Sequence, residues 1–317
     1  SEIKIKELIS LFDKKKFDLL LRLSNELLDK FPNSILLQNI QGVVYTELKN
    51  YKLAKNLFIK VVNLNPKYTD GYYNLANIFI KLDEEEKAIE NYNKVIELDK
   101  NYFKAHNNLG NIYRRKGLNK KAIEFYLSTL EINSNYKVAY YNLAGALQFY
   151  KINVENKNIN KYLLYLLKEK IIVRPNSIAS NVLNSLFLNT DLKKNLSLVK
   201  NKINNKDFNY ILKNLQENSL LMQFMKVCPI SDYYVEKNFV NLRKKILNQT
   251  YESDIDKTNM NFLISLSIQC FLNEYIYGQS KDEREKIKKI DERIKKNLGE
   301  NKKISDLDIL CLSCYEP

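Results

Sequence analysis

The chain has 317 residues, 45% of them hydrophobic and 28% charged, with a formal net charge of +14. That apolar content excludes a disordered chain and suits about two domains. No apolar run reaches the roughly 18 residues needed to cross a bilayer and no secretory leader opens the sequence, so a cytoplasmic protein with no membrane partner is expected.

The first elements in chain order form a repeat. Asn-Leu-Ala-Asn at 74 to 77 returns as Asn-Leu-Gly-Asn at 108 to 111 and as Asn-Leu-Ala-Gly at 142 to 145, a step of 34 residues. Ala54, Ala88 and Ala122 keep that step, and Phe58, Tyr92 and Tyr126 follow in phase. A fixed period of this length predicts stacked helical hairpins. The units read 1 to 34, 35 to 68, 69 to 102 and 103 to 136, with a fifth beginning at Lys137. Gly42, Ala76, Gly110 and Ala144 are the small residues that let each first helix approach its partner, and Tyr45, Phe79, Tyr113 and Leu147 are expected to fill the space beside them. Pro32 and Pro66 close two units, because proline cannot continue a helix. Leu20 and Ser24 depart from the pattern, which marks the first unit as a cap. His106 shares its phase with Gln38, Tyr72 and Tyr140 and is expected to pack structurally.

These markers resemble the tetratricopeptide repeat family, a 34-residue helix-turn-helix unit. The resemblance implies an all-α solenoid whose first helices line a concave, protein-binding side. In that register Asn74, Asn108 and Asn142 share the sixth position, and Asn77 and Asn111 lie one helical turn further on. Tyr73, Asn107 and Tyr141 precede this ladder, and Lys81, Arg114 and Arg115 lie about a turn beyond it. A carboxamide donates and accepts at once, which suits an extended peptide backbone. The ladder is also similar to the asparagine-lined groove of O-linked N-acetylglucosamine transferases. The competing reading is that these asparagines serve contacts between adjacent repeats. At roughly 0.5 to 1.5 kcal/mol per hydrogen bond, three asparagines cannot alone supply the roughly 8 kcal/mol of a micromolar complex. Tyrosine packing and the cationic groups must contribute, and those cations favour a peptide with acidic groups or a free carboxylate.

After Lys151 the register slips through the polar stretch 152 to 160, and Pro175 is expected to close a fifth unit enlarged by about seven residues. From Ile178 only helical periodicity persists: short segments over 203 to 225, a helix over Val235 to Leu247, a polar connector from Gln249 to Lys257, and an almost wholly apolar helix from Phe262 to Tyr277 that reads as buried. On that helix Gln269, Asn273 and Glu274 need partners, either on neighbouring helices or on a further domain. The basic residues of 281 to 303 alternate with acids, as on a solvated helical face, so nucleic acid is disfavoured as a partner. Cys228, Cys270, Cys311 and Cys314 read as reduced packing residues, because the Cys311 to Cys314 spacing lacks the second pair a zinc site needs.

Four segments, 171 to 176, 224 to 229, 269 to 275 and 309 to 317, resemble the helical region that follows the repeats in certain bacterial proteins ending in an S-adenosylmethionine-dependent methyltransferase domain. That resemblance implies a substrate-recruiting part of a methyltransferase polypeptide. Ser1 in place of methionine, and helical patterning up to Pro317, read as an excised fragment. The seven glycines never cluster into a cofactor turn and no histidine-based triad is present, so no cofactor and no catalysis are expected within these residues. The expectation is an all-α protein with an array over 1 to 150, an irregular fifth repeat over 151 to 175 and a helical region over 176 to 317. It acts as a protein-interaction scaffold; a glycosyltransferase targeting arm and a free-standing adaptor are the alternatives.

Overall fold

A computed structural model describes residues 2–153, 157–169, 174–199, 205–230, 232–252, 259–272, 279–300 and 302–315, and among them regular structure is helical with no strand. The chain divides into two compact units, Ser1–Ala146 and Leu147–Pro317. Among the described residues no helix is long and apolar enough to cross a membrane.

The N-terminal unit is a run of hairpins: α1 (Glu2–Asp13) with α2 (Phe17–Lys30), α3 (Ile35–Glu47) with α4 (Tyr51–Leu64), α5 (Thr69–Lys81) with α6 (Glu85–Leu98), and α7 (Phe103–Arg115) with α8 (Asn119–Ile132). The helix α9 (Lys137–Leu147) opens a fifth. Ala54, Ala88 and Ala122 are wholly buried. Facing them, a β-carbon added at Gly42 would lie 2.6 Å from the Phe58 ring, and one at Gly110 only 2.5 Å from the Tyr126 ring. The small residues therefore exist to admit an aromatic ring from the second helix. In the first unit Ser24 stands in the ring's place, and Gln41 fills the gap by donating to Ser24 Oγ at 2.9 Å and Asn25 Oδ1 at 2.7 Å.

Two further devices repeat in phase. Each turn inside a hairpin holds one residue with left-handed backbone, Lys15 (φ 55°), Lys49 (φ 59°), Asp83 (φ 59°) and Gly117 (φ 74°), so the turns are as periodic as the helices. Only the last is glycine, the residue that carries no steric penalty there. At the fourth position, Gln38 Nε2 donates to the Pro32 carbonyl at 2.8 Å, and His106 Nε2 lies 3.1 Å from the Lys100 carbonyl. Both side chains satisfy a loop carbonyl six residues back, so His106 is a structural residue as its phase predicts.

The C-terminal unit contains α10 (Lys157–Lys168), α11 (Pro175–Leu188), α12 (Thr190–Leu198), α13 (Asn205–Glu217), α14 (Ser219–Val227), α15 (Tyr233–Glu252), α16 (Met260–Leu272), α17 (Lys281–Gly299) and α18 (Asp306–Ser313). Pro175 occupies the first turn of α11 instead of the loop before it, where its missing N–H costs nothing. The slipped register after the array is anchored by buried Asn181, which donates to the Leu147 carbonyl at 2.6 Å and accepts from Ile152 N at 2.9 Å. Of the connector expected from Gln249 to Lys257, the first four residues are instead helical, since α15 runs on to Glu252, because Asn, Gln and Thr weaken a helix without breaking it; the remainder lies outside the described residues.

The apolar helix α16 packs against α13, α14 and α18, and Gln269 on it is fully buried. Its Nε2 donates to the Met225 and Cys228 carbonyls at 2.6 and 2.5 Å, and its Oε1 accepts from Ile230 N at 3.1 Å. The partners of Gln269 are thus within the unit; Asn273 and Glu274 lie outside the described residues. Along α17 the mixed charges pair as Lys286–Asp282 and Lys295–Asp291 at 2.9 and 2.6 Å, as a solvated face does. Glu283 is the exception, buried at 3% exposure. It closes a capping box with Ser280, accepts from Tyr315 Oη at 3.0 Å and faces the buried Arg243 guanidinium at 3.5 Å. Burial pushes its carboxyl up, but the bonds from Ser280 and Tyr315 and the charge of Lys244 outweigh that and hold it below the usual range. The four cysteines are free and buried, and burial pushes the Cys228 thiol up to about 12.

Candidate functional site

The first helices α3, α5, α7 and α9 are joined edge to edge by the asparagine ladder. Asn74 Nδ2 donates to Asn39 Oδ1 at 3.0 Å, Asn108 Nδ2 lies 3.4 Å from Tyr73 Oη, and Asn142 Nδ2 donates to Asn107 Oδ1 at 3.0 Å. In each case the partner is 35 residues earlier, at the fifth position of the preceding repeat. The orientation is therefore constant along the array. Asn108 Nδ2 also reaches Asn77 Oδ1 at 3.2 Å and Tyr92 Oη at 3.0 Å. All three ladder residues are half-buried, so the amides keep an edge toward solvent.

This geometry divides each carboxamide. The amino group is spent on the preceding repeat, whereas the carbonyl oxygens of Asn74 and Asn142 accept no hydrogen bond from the described residues. The face consequently offers acceptors more than the matched donor and acceptor pair that residue type alone suggests. Asn77 and Asn111 are committed as well, accepting from Tyr92 Oη and, at 2.9 Å, from Tyr126 Oη. Burial pushes the Tyr126 phenol up to about 12 and raises Tyr92 further, so both stay protonated donors.

The flanking residues separate into two groups. Asn107 is buried at 3% exposure and acts as the strut that receives Asn142. Arg115 gives both Nε and Nη2 to Glu85 Oε1 at 3.0 and 2.7 Å, so its charge is answered within the array. Tyr73 is half-buried against the Tyr92 and Tyr102 rings at 5.9 and 5.0 Å. Tyr141, by contrast, is 47% exposed. Lys81 and Arg114 are exposed and form no ion pair among the described residues. The Arg114 guanidinium lies across α9, where a β-carbon at Gly145 would come within 2.6 Å of its Nη1. Gly145 replaces the asparagine of the two preceding repeats, and its lack of a side chain is what gives Arg114 that position. In sequence both arginines lie about a turn beyond the ladder; the acid at Glu85, one repeat back, answers Arg115 and leaves Arg114 without an ion pair among the described residues.

Three family models match the array: tetratricopeptide-repeat models over residues 37–68 and 103–136, and a TPR repeat model over 76–117. Residues 37–68 and 76–136 of the N-terminal unit therefore match tetratricopeptide repeats. Among solved structures, the chain is similar to the MamA protein at 24% identity, covering 54% of this chain and 90% of that one with a TM-score of 0.45. YrrB, described as a TPR protein with an unusual peptide-binding site, is 21% identical over 52% of this chain and 82% of its own, with a TM-score of 0.41. The first TPR of Spaghetti (RPAP3), bound to the HSP90 peptide SRMEEVD, is 26% identical over 35% of this chain and 89% of its own, with a TM-score of 0.34. No curated protein sequence matches.

Proposed function

We propose that the amide-lined face of α3, α5, α7 and α9 binds an extended peptide carrying acidic groups or a free carboxylate, and that the array is a protein-interaction scaffold. The observation that carries this reading is the repeated orientation of Asn74, Asn108 and Asn142, with two uncommitted carbonyl oxygens, beside the unpaired cations Lys81 and Arg114. The oxygens take peptide N–H groups, the cations take carboxylates, and exposed Tyr141 adds apolar contact. Two accepted hydrogen bonds supply about 1 to 3 kcal/mol, so most of the affinity rests on charge and the tyrosine. In a binding measurement with degenerate acidic heptapeptides ending in a free carboxylate, Arg114→Glu is expected to weaken capture at least ~10-fold, about 1.4 kcal/mol. Amidated peptides should lose part of the same increment. Equal binding by wild type and Arg114→Glu would overturn the reading.

The resemblance of the C-terminal region supports a finer version, in which this scaffold recruits a protein substrate for an S-adenosylmethionine-dependent methyltransferase domain on the same polypeptide. The gene beyond residue 317 is then expected to encode a glycine-rich cofactor turn; a sugar-nucleotide domain or a stop codon there would contradict it.

A further inference from the structure

The C-terminal unit holds a cavity of 640 Å³ between α12 and α13, lined along one edge by Asp191, Lys194 and Asn195 and along the other by Tyr210, Asn214 and Glu217. Its volume is in the range of small-molecule sites, roughly 300 to 1,000 Å³. The six side chains just named form no hydrogen bond, ion pair or ring contact with the described residues, although ion pairs within and between helices are frequent elsewhere in the chain. Tyr210 is 65% exposed, with its ring open to a ligand. Leu192, Leu198 and Ile211 line the cavity too and give it an apolar component.

The mixture of groups discriminates between ligand classes. Asp191 and Glu217 against the single Lys194 disfavour an anion such as a phosphate or nucleotide. A cation would suit the carboxylates and the Tyr210 ring but would leave the N–H donors of the carboxamides unused. Asn189 and Asn218 also line the cavity, and each spends its Oδ1 on a helix cap, accepting from Leu192 N and Leu221 N at 2.9 Å. Each keeps both amino hydrogens to offer, donors that a cation cannot use. A ligand that both accepts from amides and donates to carboxylates at the same atoms is a polyol. Its C–H face is apolar and lies naturally on an aromatic ring.

From this we infer that the trough between α12 and α13 binds a neutral saccharide, with Tyr210 as the stacking platform and Asn195, Asn214, Asp191 and Glu217 reading its hydroxyls. The nine residues of α12 span about 13 Å at 1.5 Å per residue, room for two or three linked rings. This inference is independent of peptide binding by the array.

The test is calorimetry and ligand-observed NMR on the whole chain with cellobiose, maltose and diacetylchitobiose, and with spermidine and trilysine as cationic probes. At least one disaccharide is expected to bind with a Kd near ~1 mM or tighter, the modest affinity of a small polar ligand. Tyr210→Ala, at an exposed position that leaves the fold intact, should weaken it at least ~10-fold, and Asn214→Ala should act in the same direction. Tyr141→Ala, in the other unit, should leave it unchanged. Absence of disaccharide binding, disaccharide binding indifferent to Tyr210→Ala, or binding of the cationic probes in place of sugars would each overturn the assignment.

Discussion

Replacing Gln269 by leucine is expected to destabilise the C-terminal unit by about 4 kcal/mol, because three backbone groups lose their partner and each unsatisfied one costs about 1 to 3 kcal/mol. The cause begins with Pro229. In a continuing helix the Met225 carbonyl would accept from the amide four residues on, and proline has none. Gln269 supplies that missing donor from α16, donates also to the Cys228 carbonyl and accepts from Ile230 N, so a single buried amide closes the end of α14. Leucine fits the volume and satisfies none of these groups. Urea unfolding monitored by circular dichroism measures the effect; a loss below about 1 kcal/mol would mean that the strand of chain around Pro229 rearranges to reach water.

Enlarging Gly110 to leucine is expected to cost the array about 3 kcal/mol or more, the upper range for overpacking a buried contact. A β-carbon alone already meets the Tyr126 ring at 2.5 Å, and that ring is wholly buried with its hydroxyl bonded to Asn111. It can yield only by parting α7 from α8. Gly299→Leu serves as the control, since nothing lies within 4 Å of a β-carbon there. Thermal melting should show a large drop for the first substitution and little change for the second; similar melting of both would contradict the packing account.

The array was legible because stacking forces identical contacts at a constant interval, so small residues at Gly42, Ala76 and Gly110 and rings at Phe58, Tyr92 and Tyr126 had to recur in phase. Two consequences of the same geometry stayed hidden. The left-handed turn residue recurs with equal regularity, but lysine and aspartate occupy three of its four positions, and composition shows only the glycine. The ladder was visible as a row of asparagines, yet a residue type does not tell which end of an amide is used, and the amino ends turn out to bridge repeats. Asn107 and Arg115 shared the phase of exposed neighbours and differ through partners one repeat away.

In the C-terminal unit no repeat enforces register, so contacts between distant segments decide. Glu283 looked like one acid among many in a solvated run, although Ser280 three residues before it is the local mark of a capping box. Its burial depends on Arg243 and Tyr315, 40 residues before and 32 after it. The trough of α12 and α13 was equally invisible, because its lining comes from two polar helix faces that read individually as solvated surface.

We propose that the array holds a peptide through the outward carbonyl edges of its ladder. Side-chain amide NMR of the whole chain during titration with an acidic heptapeptide tests it most directly. Saturable shifts of the Asn74 and Asn142 carboxamide signals together with the Arg114 guanidinium signal, all following one binding curve, are the predicted result. Binding that leaves those three signals unmoved while shifting others would contradict the account.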